Sequence, residues 1–456
     1  MTSPAAPQRR LCAVLALPLA IGLALTGCVA SDTQAGATNG SERTDASLYE
    51  KAVAKAKDIS GGAKLASSLE YVGPNGGAEG DVLQSVYKAF TEATGTQVKY
   101  TGTQDLNSIV QSRVQAGNAP DIADLQLGVA RDYAKQGKLM DLDTVVGKTE
   151  LRSNYSQSLL DGASFDGKVF GIYQGFNNFM LWYNPEQYSG PKDPRTWQEI
   201  VDWSRRQATA GKPTWCIAEE AGGFSGYPGA QFIENLFAKK YGPEKLRQWG
   251  SGQLPWTSPE VKDAWQMFGE IATDGSTISG GVQGSISAPI ATGYNGLIAE
   301  KATCQMALWG SWVPGLIGDG VRPGKNLDFF RVPGDNPQFS STEIFQTTVA
   351  VGFKDTPTTR AFLKFIQSPE AQALLASADQ WPVSNLKVPA DTYKSPLLQK
   401  AAKAFFDDKV TLAVGPNVMA NAAVNGAFYK GVLTYLQDPS SLDAVLARIQ
   451  AAVAGS

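Results

Sequence analysis

Histidine is missing from all 456 residues. Its absence removes the imidazole general base, the Ser-His-Asp triad and the His-Glu-x-x-His zinc site together. Other patterns that carry chemistry are missing as well. There is no Gly-x-Ser-x-Gly elbow. Gly324-Lys325 is followed by Asn326 and lacks the earlier glycine of a phosphate-binding loop. Asp141-Leu142-Asp143 opens like a calcium loop without the Gly or the closing Glu in register, and reads as a surface acidic turn. No metal and no cofactor are expected. Carboxylates alone still support glycosidic hydrolysis, so an exported carbohydrate-active hydrolase stays open as an alternative function. The body carries no basic block, and 40 Lys and Arg against 43 Asp and Glu argue against a nucleic-acid partner. Beyond the N-terminus, no apolar run is long enough to cross a bilayer.

The N-terminus itself is distinctive. Arg9 and Arg10 precede an uncharged stretch, Leu11 to Gly27, that is mostly Leu and Ala. This is the layout of a secretory signal, too short and too poorly flanked for a spanning helix. It closes on Leu25-Thr26-Gly27-Cys28, which resembles the lipobox of bacterial lipoproteins. That resemblance implies cleavage after residue 27, acylation of Cys28 and a protein tethered to the outer face of the cytoplasmic membrane. An ordinary secretory signal with a chance cysteine is the plainer alternative. Val29 to about Thr44 is Ala, Ser, Thr, Gly, Asn and Asp, too polar to bury a core, and is expected to be a flexible tether. Residues 28–62 are thus expected to be linker and peripheral segment, with a helix over Leu48 to Lys57 and the folded body starting near Ala63.

Cysteine is scarce. Of 4 in the chain, Cys12 is lost with the leader and Cys28 is the lipidation candidate. Cys216 and Cys304 remain, and in an exported chain two thiols are expected to pair, with two buried free cysteines as the alternative. A bridge there contributes about 4 kcal/mol by loop entropy, less any strain.

Hydrophobic residues at 43% and charged ones at 18% suit a large core, and the length suits two or more domains. The body opens as alternating strands and helices. Strands are expected over Ser67 to Val72, Gln97 to Thr101 and Asp121 to Leu127. Asp81 and Asp105 are expected to start the helices between them. This order argues for an α/β fold with a parallel sheet and right-handed crossovers, whose ligands sit at the carboxyl ends of the strands. Gln104, Asp105, Asp124 and Gln126 fall there. Further on, Asn177 to Asn184 and Cys304 to Trp312 read as apolar strands, and the tail from Thr358 as largely helical.

Several stretches together carry a family resemblance. They are the lipobox, Asp166-Gly167-Lys168-Val169-Phe170-Gly171-Ile172, Leu181-Trp182-Tyr183-Asn184, Ala307-Leu308-Trp309-Gly310-Ser311-Trp312, and the helix Ala361 to Ala376 with Ser368-Pro369-Glu370-Ala371-Gln372. In this order the chain resembles the extracellular sugar-binding proteins of ABC importers. Residues 213–304, with Trp215-Cys216-Ile217, Gly226-Tyr227-Pro228-Gly229 and Pro255-Trp256-Thr257, look nearest to the α-glucoside binders. The resemblance implies a type II two-lobe fold with discontinuous lobes, a hinge and an interlobe ligand cleft. It implies lobe one over 63–173 plus 305–353 and lobe two over 177–303 plus 354–456, with Cys216 and Cys304 stapling lobe two. It implies a non-enzymatic monomer that takes a carbohydrate and passes it to a membrane permease.

A sugar offers one apolar C–H face and a rim of hydroxyls, so its pocket needs aromatic rings beside amides and carboxylates. The candidate ligand-binding residues are Gln104, Asp105 and Gln126 at strand ends, Phe176 and Asn177 at the first lobe crossing, Trp309 and Trp312 around a Gly-Ser turn, Glu220 and Phe224 in a Gly-rich loop, and Phe345 and Trp381, with Gln346 beside Phe345. Glu219 and Glu220 are neighbours and point apart in an extended chain, so one is expected to meet a hydroxyl and the other solvent.

Overall fold

The computed structural model describes residues 44–456 apart from Gln104, Asp319, Asp407, Asp408 and Ser456. The leader, Cys28 and the polar tether up to residue 43 lie outside the described residues. The strands are β1 (Ser68–Gly73), β2 (Gln97–Gly102), β3 (Ile122–Leu125), β4 (Ser164–Phe165), β5 (Lys168–Val169), β6 (Asn177–Tyr183), β7 (Met306–Gly310), β8 (Asp328–Phe330), β9 (Thr342–Gln346), β10 (Val349–Gly352) and β11 (Thr411–Ala413).

The first sheet has the order β10-β3-β1-β2, with β1 parallel to β2 and β3, and β10 antiparallel to β3. The crossovers are the helices Gly77–Thr94 and Leu106–Gln115. The first buries Val82, Leu83, Val86, Tyr87 and Phe90 at helical spacing and stops at Gly95, whose backbone N–H donates to the Thr91 carbonyl. It starts a turn earlier than expected, with Gly76 and not Asp81 at its N-cap. The helix read over 48–57 runs Ala46–Ser60, with the Asp45 side chain accepting the Leu48 N–H at its start. It is not an outlying segment. Ala52 and Ala56 are fully buried against the helices Gly77–Thr94, Pro357–Ile366 and Pro369–Ser377, because two small residues one turn apart let helix backbones approach closely.

The second sheet has the order β11-β9-β6-β7, with β8 also on β6. Its centre, β6, is antiparallel to β7, β8 and β9 and buries Phe179, Met180, Leu181 and Trp182. Two hydrophobic cores follow from the two sheets. Together they make an α/β two-lobe fold.

Core membership redraws the expected lobes. β7 was expected in lobe one. It pairs with β6, Met180 opposite Trp309, and its residues fill the second core. Pro357–Ile366 and Pro369–Ser377 were expected in lobe two. They carry Phe362, Phe365 and Leu374 into the first core, where Phe362 meets Tyr71, Tyr87 and Phe90 edge to face. The chain passes between sheets at residues 174–176 and again between β9 and β10. The two passages run side by side: Thr347 Oγ1 donates to the Gly175 carbonyl at 2.6 Å, and Asn177 stands opposite Gln346. Residues 396–420 share both cores, Leu397 and Ala401 in the second, Leu398, Ala402 and Phe405 in the first.

Cys216 and Cys304 are bridged, with Cα atoms 5.4 Å apart, inside the second core. The Cys216 N–H donates to the Met306 carbonyl, so the staple sits where the chain joins the end of β7.

Candidate ligand site between the lobes

On the lobe-one side, β3 ends at Leu125, and half-buried Gln126 caps the Leu127–Lys135 helix through its backbone, leaving its side chain out of the cap. Asp105 does the same for Leu106–Gln115. Its side chain is exposed and makes no cap bond, while its N–H donates to Thr103 Oγ1 at 3.1 Å. Gln104 lies outside the described residues. Beneath these ends lies a buried network. Tyr71 Oη donates to Asp124 Oδ1 at 2.7 Å, Gln174 Nε2 donates to Tyr71 Oη at 2.8 Å, and Tyr87 Oη donates to Gln174 Oε1 at 3.1 Å. Burial raises the Asp124 carboxyl to about 7 against the opposing pull of the Tyr71 hydroxyl. Asp124 is therefore part of the floor, tied to the crossing strand through Gln174.

At the crossing, Asn177 is half-buried and its Oδ1 accepts from Ser311 Oγ at 3.3 Å. Phe176 is no cleft wall. Its ring stacks on Phe405 at 3.6 Å and 17°, deep in the first core. Phe345 is likewise buried, between Tyr173 and Phe405. Trp381 is half-buried and packs over Gly175.

On the lobe-two side, the two tryptophans around the Gly-Ser turn separate. Trp309 is fully buried, stacked on Tyr294 at 5.6 Å and 20°. Trp312 is half-buried, edge-on to Phe179 and Trp309. Glu219 and Glu220 also separate. Glu219 is fully buried, accepts the Gly229 N–H at 3.0 Å and is raised to about 7 by burial. Glu220 is half-buried and accepts the Gly222 N–H at 2.9 Å. Phe224, 44% exposed, stands 6.4 Å from Tyr429.

Sequence reasoning missed the residues that join these into one surface. Tyr227 opens the Tyr227–Gly250 helix, donates its hydroxyl to Gln346 Oε1, and lies edge-on to both Trp309 and Tyr429. An aromatic and amide cluster therefore runs Phe224–Tyr429–Tyr227–Gln346, with Tyr429 buried as its backing, Asn177 opposite Gln346, and Trp312 joined to Tyr227 through Trp309. Gly226-Tyr227-Pro228 held the signal for Tyr227, since a proline at the first helical turn marks the helix start and puts the tyrosine at its end. Tyr429 gave none, being one more aromatic in an apolar helix.

Two α/β lobes linked by paired crossing strands, with aromatic rings and amides gathered beside the crossing, define the class of the type II solute-binding proteins. The sequence profile of the bacterial extracellular solute-binding proteins matches residues 73–373, and the chain belongs to that family. Among relatives, it is 28% identical over 398 residues to the alpha-glucosides-binding periplasmic protein AglE of Rhizobium meliloti, covering 84% of this chain and 86% of that one. It is 27% identical over 364 residues to the osmoprotective compounds-binding protein GgtB of a Synechocystis species, covering 79% and 86%. A chitin oligosaccharide binding protein superposes with a TM-score of 0.71 at 20% identity, over 86% of this chain and 98% of that one. The galactose receptor AcbH does so with 0.70 at 17%, over 85% and 98%. These relatives are binding proteins, and among the described residues no helix is long and apolar enough to cross a membrane.

Proposed function

We propose that this chain is the capture subunit of an ABC importer. It binds a neutral polyhydroxylated ligand, an α-glucoside or another oligosaccharide, between its lobes and delivers it unchanged to a membrane permease. Cys28 carries the lipid that holds it on the outer face of the cytoplasmic membrane. The observation that carries this reading is the cluster of exposed Phe224 and half-buried Tyr227, Gln346, Trp312 and Asn177, backed by buried Tyr429, next to the crossing strands. Rings stack on the C–H face of a sugar, and amides and hydroxyls meet its rim at about 1 kcal/mol net per hydrogen bond. Hinge closure excludes water and strengthens each of these. The names of the two relatives, one for α-glucosides and one for osmoprotectants, support a small polyol or glucoside over a long polymer.

The test is a thermal-shift screen with maltose, trehalose, sucrose and glucosylglycerol. A ligand at about 100 times its Kd stabilises by about 2.7 kcal/mol. A shift with intact sugar recovered afterwards supports capture. Released glucose would replace it with hydrolysis, and no shift with any of the four would sink the glucoside assignment.

A further inference from the structure

The Tyr227–Gly250 helix buries Gln231, Glu234 and Asn235 completely, and Asn417 and Asn425 lie nearly as deep. A polar group this deep is costly unless it is hydrogen-bonded. Glu234 Oε1 accepts the Asn417 N–H at 2.7 Å, and Asn425 Nδ2 donates to the Asn417 carbonyl at 3.1 Å. Both bonds fix one short turn, Pro416–Met419, to lobe two. The far side of the same turn meets lobe one. Val418 is buried in the first core, and Gly128, at the start of the Leu127–Lys135 helix, faces the Met419 carbonyl so closely that a Cβ would come within 2.4 Å of that oxygen. Backbone meets backbone there, so only glycine fits. Gln126, a candidate ligand contact, is two residues away.

We propose that Glu234 is a positioning residue for ligand capture, holding the 415–420 turn on lobe two in the one register in which its carbonyls seat against Gly128 of lobe one. The proposal rests on the capture reading. Glu234 touches no ligand. It acts through the seam between the 415–420 turn and Gly128, which joins the two lobes, so its loss shortens the life of the closed complex. The aromatic surface gains nothing from Glu234 beyond that closure.

The full-length protein without its leader tests this with Glu234→Ala, Glu234→Gln and Gly128→Val, using whichever of the four sugars shifts the wild type. Glu234→Ala leaves the Asn417 N–H without an acceptor and is expected to weaken binding about tenfold, almost all of it in koff. Glu234→Gln keeps an acceptor oxygen and is expected to stay within about threefold. Gly128→Val attacks the seam from the other side and is expected to weaken binding as Glu234→Ala does, with the double variant no worse than either alone. Wild-type affinity in a folded Glu234→Ala, or equal losses in the Ala and Gln variants, would overturn the proposal. Hydrogen exchange at Asn417 to Ala420 supplies an arm without sugar: faster exchange in Glu234→Ala but not in Glu234→Gln is expected, and unchanged exchange overturns the anchor. If no sugar binds the wild type, the capture reading fails while this arm still decides the anchor. If Glu234→Ala does not fold, Gly128→Val carries the test, with unchanged koff as the overturning result.

Discussion

The two lobes bury their interiors with different chemistry. The first core is aliphatic residues with Tyr and Phe, and no tryptophan is fully buried in it; Trp381 packs only at its edge. The second core holds Trp182, Trp197, Trp203, Trp215, Trp249, Trp256, Trp265 and Trp309, plus the disulfide. The first is organised by the three parallel strands β1 to β3, whose crossovers are local in sequence, with β10 added antiparallel at one edge. The second is organised around β6, whose partners β7, β8 and β9 come from far along the chain. A sheet whose central strand finds every partner at a distance has a larger loop-closure cost to offset than one whose central strands pair locally, and large aromatic surfaces plus a covalent staple offset it here.

The largest expected effect breaks that comparison at its heaviest side chain. Trp265→Ala removes a fully buried indole packed against Phe428 and Tyr435, and is expected to cost about 3–5 kcal/mol. If the cores are separate, native-state hydrogen exchange should accelerate in β6 and β7 and hardly in β1 to β3. Equal acceleration in both sheets would show one cooperative core instead of two. Replacing both cysteines, Cys216→Ala with Cys304→Ala, is expected to cost about 2–4 kcal/mol, again confined to lobe two, as chemical denaturation with and without reductant will read.

The same contrast decides what could be read from sequence. β1, β2, β3 and the helices between them fell near their expected bounds, because strand and helix periodicities alternate locally and neighbours in sequence are neighbours in space. The lobe boundaries went wrong where pairing is distant. No local pattern says that the strand ending at Gly310 pairs with Phe179, or that Phe362 crosses back to Tyr71. The site divided in the same way. Gln126 and Asp105 follow from the strand-end rule and lie at strand ends. Phe176 was drawn from its place at the first lobe crossing and Phe345 as a lesser aromatic candidate, and an aromatic ring is buried or displayed by partners such as Phe405 that sequence position does not reveal.

Buried carboxyls offer a subtler contrast. Lobe one holds Asp124, raised to about 7 by burial, and lobe two holds Glu219, raised to about 7, and Glu234, raised to about 8, for the same reason. In each case the folded protein keeps a proton that the unfolded chain releases near pH 4. Between that pH and 7 to 8 the native state binds more protons, so stability falls as pH rises and levels off above the folded values. Melting temperature is expected to drop from pH 5 to pH 8.5. Glu219→Gln with Glu234→Gln should flatten that slope more than Asp124→Asn does, since two of the three groups sit in lobe two. A slope unchanged in the double variant would mean that neither glutamate holds its proton.

The smallest effects sharpen the contrast to one pair of residues. Trp309 and Trp312 flank the same Gly310-Ser311 turn, yet one is sealed in the second core and the other is half-buried, next in the chain to the Ser311 that donates to Asn177. Their roles should therefore separate by readout. Trp309→Ala is expected to cost stability like any core indole. Trp312→Ala is expected to leave the melting temperature of the ligand-free protein nearly unchanged and to cost about 2 kcal/mol of sugar affinity, as a truncated ring at a binding surface does. Tyr227→Phe, which loses only the hydroxyl bonded to Gln346, should cost about 1 kcal/mol of the same affinity. Isothermal titration beside thermal melting distinguishes these outcomes. A Trp312→Ala protein that melts early and binds normally would move Trp312 into the core with Trp309, and would leave Tyr227 and Phe224 as the aromatic face that meets the ligand.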